Sequence, residues 1–217
     1  MTSSQGNLIR FNKRGIINIS TSLTNPVKKR FVLAHELGHW FMHKDKVMFA
    51  CTEDNMNDWT LNNPIIEVES NAFAGELILP ENILKSYFIN RIPDADIFRE
   101  ISHSYKISLS ALSIKYVKSG ITPVCIMFCR NNQVEWHATS HKFPFGLFGN
   151  KTIPDKSLTA ESLKKKMTQS STRVNEAKMW FPTDYKVGQD NYINEMIFPM
   201  PKMKACLTFV WEYKIIL

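Results

Sequence analysis

The sequence predicts an α+β protein, helix-rich over residues 1–119 and strand-rich over 120–217. Up to Ser119, apolar residues recur at three- and four-residue spacing, the period of a helix with one buried face. Beyond Gly120 they alternate or run together in short stretches bounded by Asn, Gly and Pro, the pattern of strands. The 217 residues are 44% hydrophobic and include 14 Phe, 5 Trp and 6 Tyr, enough to bury a substantial core or one domain with a smaller companion. That composition excludes a disordered chain, and only 8 Gly and 10 Pro exclude a collagen-like one.

The elements follow in order. Leu8–Ser20 alternates in places, with Ile17 and Ile19 against Asn18 and Ser20, which suits a short strand and an N-terminal sheet. Asn25-Pro26 is a helix-start signal, a capping side chain followed by proline at the first helical position. Val27, Phe31, Ala34, Leu37 and Phe41 then mark a helix to about His43. Residues 44–64 are polar and irregular and are expected to form a long loop. A helix from about Pro64 to Leu79 is stopped by Pro80, and a shorter one spans 81–90. Two more helices, 94–105 and 109–118, form a pair like a helix-turn-helix. The second half opens with strands at 123–130 and 133–140 joined by Asn131-Asn132. A helix is expected over 159–169, and strands over 179–184, 195–200 and 204–217. The domain division expected is 1–119, including the helical pair 94–119, and a smaller strand-rich domain 120–217.

Charge and cysteine content narrow the function classes. The net charge is +7. Residues 1–119 carry 14 basic and 12 acidic side chains, residues 120–217 carry 13 and 8. This is a modest surplus, within the range of small soluble domains. The second helix of the pair offers only Lys115 and Lys118 as strong phosphate contacts, so direct DNA binding is not expected. No run of 18 apolar residues is present and the N-terminus has no apolar signal core, so neither a spanning helix nor secretion is expected. Cys51, Cys125, Cys129 and Cys206 are few and scattered, which reads as reduced thiols in a cytoplasmic protein.

The chemistry lies in His35-Glu36-Leu37-Gly38-His39. On a helix, residues four apart lie about 40° from each other and about 6 Å apart along the axis, so both imidazoles reach one ion. Zn²⁺ favours nitrogen ligands in a tetrahedral site. Glu36 is rotated by about 100°, near the metal without ligating it, where it can take a proton from water; this assignment is the known one for HExxH helices. The apolar flanks, Phe31-Val32-Leu33-Ala34 and Trp40-Phe41-Met42, argue against a solvated charge run. A catalytic zinc wants a third protein ligand and an open position. His43 lies too far along the same axis to share the ion with both histidines. Glu67 begins a stripe with Asn71, Ala74 and Ile78, whose small residues allow close approach to the gap at Gly38. Glu67 is the favoured third ligand, Asn71 the supporting residue beside it, and Glu69 and Cys51 remain as alternatives.

RFVLAHELGHWFMH followed by EVESNAFAGELILP resembles the ImmA/IrrE metallopeptidase family, whose pattern is R-F-x-x-A-H-E-L-G-H, then E-x-x-A-N-x-F-A-x-E-L-L-M-P. Arg30, Phe31, Ala34, His35, Glu36, Leu37, Gly38 and His39 match the first block. Glu67, Asn71, Phe73, Ala74, Glu76, Leu77 and Pro80 match the second. Ser70 replaces the usual Ala, and Ile78-Leu79 the usual Leu-Met. The resemblance covers about residues 8–119. It implies a zincin-like domain with His35, His39 and Glu67 as zinc ligands and Glu36 as the catalytic base. It further implies a protein substrate, a helix-turn-helix repressor cut in a stress-response, mobile-element or toxin–antitoxin switch. The competing reading is a non-catalytic, metal-containing module that sequesters a regulator or toxin. The role of 120–217 and the oligomeric state are not legible in the sequence.

Overall fold

The computed structural model describes residues 4–11, 13–44, 48–52, 64–89, 91–147 and 151–213. The chain is mixed helix and sheet, as expected, and forms two compact units. The first comprises Met1–Ser86 and Glu100–Ala111, the second Tyr87–Arg99 and Leu112–Leu217. The spatial division therefore passes through both helices of the 94–119 pair.

In the first unit, β1 (Ser4–Phe11), β2 (Arg14–Ile19) and β3 (Met48–Thr52) form an antiparallel sheet in the order β2-β1-β3. The segment read as one strand is thus a hairpin, and the expected loop contains β3; residues 45–47 and 53–63 of that loop lie outside the described residues. Helix α1 (Pro26–Met42) begins where the sequence signals it. The Asn25 side chain accepts from the Val27 and Lys28 amides, and Pro26 occupies the first turn. Helix α2 (Ile65–Ile78) buries Glu67, Asn71, Ala74 and Ile78, the expected stripe, together with Ser70. Leu8, Leu23 and Val32 centre a small core with Ile17, Ile19, Phe31, Trp40 and Ile66 against it. A short helix, α3 (Glu81–Tyr87), follows; α4 (Ala95–Tyr105) and α5 (Leu109–Ser119) bridge the units in sequence.

The second unit is built on an antiparallel sheet in the order β5-β4-β8-β7-β6. Its strands are β4 (Val124–Arg130), β5 (Gln133–Thr139), β6 (Ser171–Glu176), β7 (Tyr192–Met200) and β8 (Ala205–Glu212). The β4–β5 turn places Asn131 at φ 50° and Asn132 at φ 60°, the left-handed pair that a two-residue hairpin requires. β4 and β8 are buried almost throughout, which explains their continuous apolar runs. One face carries Cys125, Met127, Cys129, Cys206 and Val210 in a cluster with Trp180 and Phe181. On the other, Phe98 meets Tyr116, Phe198 and Phe209 at ring separations of 5.0, 5.9 and 4.8 Å.

Two expectations need correction, and one strand was not expected. Residues 179–184 are not a strand: Met179 and Trp180 end a short helix, α7 (Ala177–Trp180), and the Asp184 carboxylate holds the turn by accepting from the Gly146 and Lys186 amides. The edge strand is instead β6, a polar stretch that sequence reading passed over. Helix α6 (Leu158–Lys165) ends before Gln169 because Lys166 turns left-handed at φ 51°. Its N-terminus is capped by the buried Glu195 carboxylate, which accepts from the Leu158 and Thr159 amides, the Thr159 hydroxyl and Asn175 Nδ2.

Candidate metal centre

Helix α1 turns His35, Glu36 and His39 inward, and all three are fully buried. Its last turn is fixed to the hairpin. Arg10 donates to the carbonyls of His39 (3.2 Å) and Trp40 (2.8 Å), and its guanidinium stands 4.2 Å over the Trp40 ring. Trp40 in turn fills the space left by Gly15, where a Cβ would meet the indole at 2.6 Å. On the opposite side α1 approaches α2 at Gly38. A Cβ there would stand 3.0 Å from Ser70 Cα and 3.2 Å from its carbonyl oxygen, so only glycine allows this spacing without a shift.

That close approach brings Glu67 to the two histidines. His35 Nε2 lies 3.1 Å from Glu67 Oε2, His39 Nε2 lies 3.5 Å from Glu67 Oε1, and the two Nε2 atoms are 3.1 Å apart. The outer hydrogen bonds assign the ring protons. His35 Nδ1–H donates to Asn71 Oδ1 at 2.9 Å. His39 Nδ1–H donates to His43 Nδ1 at 3.0 Å, and His43 Nε2–H donates to Glu69 Oε2 at 3.0 Å. Both inward Nε2 atoms therefore present lone pairs beside a carboxylate. Three buried electron-pair donors converging in this way repel one another unless a cation lies among them. Their separations also suit the ion: tetrahedral coordination at 2.0–2.1 Å has edges of about 3.3 Å. His35, His39 and Glu67 fit a metal, with all donor atoms within 4.8 Å of one another.

The electrostatics agree. Burial holds the His39 pKa below its ordinary value, favouring the neutral, metal-binding imidazole. Burial alone would raise the Glu67 carboxyl, but its close contacts with the His35 and His39 rings outweigh that and bring it to about 2, so it is ionised. Glu36 lies beside β1 at Gly6, where a Cβ would fall 2.7 Å from Glu36 Oε1 and 2.5 Å from Val32 Cγ1.

Of the sequence candidates, His35, His39, Glu67 and Asn71 come together. Glu69 is not in the cluster; it holds His43, which orients His39. The side chain of Cys51 lies outside the described residues. Sequence reading dismissed His43 as a ligand and overlooked its supporting place. The signal was present, since four-residue spacing after His39 puts it on the same helix face. Gly6 and Arg10 were also passed over, although a glycine inside a strand is a mark of close backbone approach.

No protein of curated function is significantly similar to the chain. Its fold is similar to that of a Mycobacterium tuberculosis transcriptional regulator, with a TM-score of 0.54 over 94% of this chain at 8% identity. This chain spans 62% of that protein's length. Residues 1–116, more than half of the sequence and including every residue of the buried His₂Glu cluster, match the Peptidase_M78 model, the IrrE N-terminal-like domain, and the chain belongs to that family.

Proposed function

We propose that this chain is a zinc-dependent endopeptidase whose substrate is a helix-turn-helix repressor. The observation that carries the metallopeptidase reading is the convergence of His35 Nε2, His39 Nε2 and a Glu67 carboxylate, each imidazole polarised from behind by an outer acceptor. His35, His39 and Glu67 would hold the zinc. Zinc in such a site supplies Lewis acidity, lowering the pKa of water toward 7 and polarising a carbonyl. Glu36 takes the proton of the attacking water and returns it to the leaving amine. Its buried setting next to Gly6 keeps that carboxylate close to the helix rather than in solvent. Asn71 and the Glu69–His43 pair hold the two imidazoles in the orientation that the ligand set needs.

The repressor substrate and the switch in stress-response or mobile-element genes rest on the family resemblance. A cytoplasmic location accords with such a substrate. No helix among the described residues is long and apolar enough to cross a membrane.

The deciding experiment measures zinc content and repressor cleavage together. The native chain should hold about one zinc and cut. Glu36→Gln should keep zinc and lose about 10²–10⁴-fold in rate, whereas His35→Ala and Glu67→Ala should lose both. Zinc binding with no cleavage in the native chain, and target binding that survives Glu36→Gln, would establish the sequestering module instead.

A further inference from the structure

Beside the N-terminal half of α1 lies a cavity of about 190 Å³, lined entirely by residues of the first unit. Phe31, Val32, Ile78 and Ile107 supply apolar walls, and Lys28 and Lys106 also line it. At roughly 30 Å³ per water, it holds about six waters. That is too small for a cofactor, which needs about 300 Å³ or more, and is the size of one amino-acid side chain.

Its unusual member is Gln5. The side chain is only 8% exposed, and its Oε1 is buried with no hydrogen-bond partner among the described residues. The backbone there is not slack, since the Gln5 carbonyl accepts from the Ser20 amide at 2.9 Å. A bulge puts the side chain in the cavity. Ser4 pairs with Thr52 and Gly6 with Cys51, so Gln5 is the extra residue on β1. Strict alternation would turn Gln5 away from α1, because Gly6 and Leu8 face it. The bulge re-aims it to the α1 side, a known use of bulges next to active sites. A buried amide oxygen left without a donor is costly to the fold. The cavity wall residues Phe31 and Val32 stand four residues, about 6 Å along α1, before His35 and Glu36.

We infer that this cavity is the specificity pocket of the peptidase, and that Gln5 Oε1 accepts a hydrogen bond from an uncharged, donor-tipped side chain of the substrate, such as Asn, Gln, Ser, Thr or Tyr. The inference rests on the peptidase reading above. Lys28 and Lys106 disfavour a basic residue in the pocket. An extended peptide advances about 3.3 Å per residue, so the side chain selected lies within about two positions of the scissile bond.

The test uses the full zinc-loaded chain and a randomised decapeptide library, with cleavage read by mass spectrometry. The same library is then captured on the Glu36→Gln chain. At one position near the cut, Gln should be preferred over Met and Tyr over Phe by about 10-fold, the value of one buried hydrogen bond. Gln5→Met, which keeps the shape and removes the acceptor, should bring both ratios to about one without altering zinc content. Gln5→Glu should keep the preference and admit Lys and Arg. Because it restores an acceptor, it separates recognition from a general loss of fold. Cleavage with no such preference, or with a preference unchanged by Gln5→Met, overturns the pocket assignment and leaves the peptidase intact. Capture that depends on Gln5 without any cleavage overturns the peptidase and leaves the pocket standing. Neither capture nor cleavage overturns both.

Discussion

Asn71 decides how well His35 can serve as a ligand. Its Oδ1 takes the Nδ1 proton at 2.9 Å inside the protein, so removing it leaves the ring free to rotate or change tautomer. Asn71→Ala should weaken zinc about 10–100-fold in competition with a chromophoric chelator. Asn71→Asp should retain or tighten it, because a carboxylate makes the imidazole more basic. Equal affinity in all three chains would remove Asn71 from the metal site. Its neighbour Ser70 predicts the opposite sign. Ser70 is fully buried, and its hydroxyl has no hydrogen-bond partner among the described residues. Ser70→Ala should stabilise the fold by about 1 kcal/mol in urea unfolding; a loss of stability would show that the hydroxyl is satisfied. At this scale the site was largely readable, because ligand chemistry fixes residue type and helix geometry fixes spacing. What sequence could not show is what stands behind each ligand. Asn71 was placed only by its stripe, and His43 and Glu69, 26 residues apart, meet only once α1 and α2 are packed.

The two helices that carry the site meet at a contact of glycine with backbone. Gly38→Ala gains helix propensity of about 1 kcal/mol but sets a methyl 3.0 Å from Ser70 Cα, where no flexible group can yield. The helices must part by a few tenths of an ångström, and Glu67 moves away from His39 with them. We expect a net loss of about 1–2 kcal/mol in stability and weaker zinc binding in the same chain. Unchanged affinity would mean the two helices are not the rigid frame of the site. Helices were legible because caps and stripes are local: Asn25-Pro26 and the Glu67 stripe each act within one element. β3 and β6 were not. β3 is five residues in a stretch dominated by Asn and Asp, and it forms by pairing with β1. β6 is polar because an edge strand presents one face to solvent, and among the described residues it pairs with β7 alone. Conversely, Met179-Trp180-Phe181 looked like a strand because its burial comes from packing on the sheet, where a short helix and turn hide the aromatic rings.

Over the whole molecule, the family match ends at residue 116 while the first compact unit is 1–86 with 100–111, so the evolutionary and the spatial divisions do not coincide. Sequence composition changes at Gly120, but composition reports what each segment is made of, not which sheet its side chains pack on. Phe88, Phe98 and Tyr116, all within the matched region, belong to the second unit, where Phe98 lies against Phe198 and Phe209. A fragment of residues 1–119 would take Phe198 and Phe209 away from Phe98 and uncover one side of this aromatic layer, whose three side chains are at most 3% accessible in the full chain. Each is worth roughly 1.5–3 kcal/mol of burial. Together that approaches the whole stability of an ordinary domain, about 5–15 kcal/mol. The fragment should therefore bind a hydrophobic dye, lose cooperative unfolding and fail to retain zinc, although every ligand is present in it. A fragment that melts cooperatively and holds one zinc would show that the aromatic layer is dispensable, and that the metal centre needs only the elements that supply its ligands.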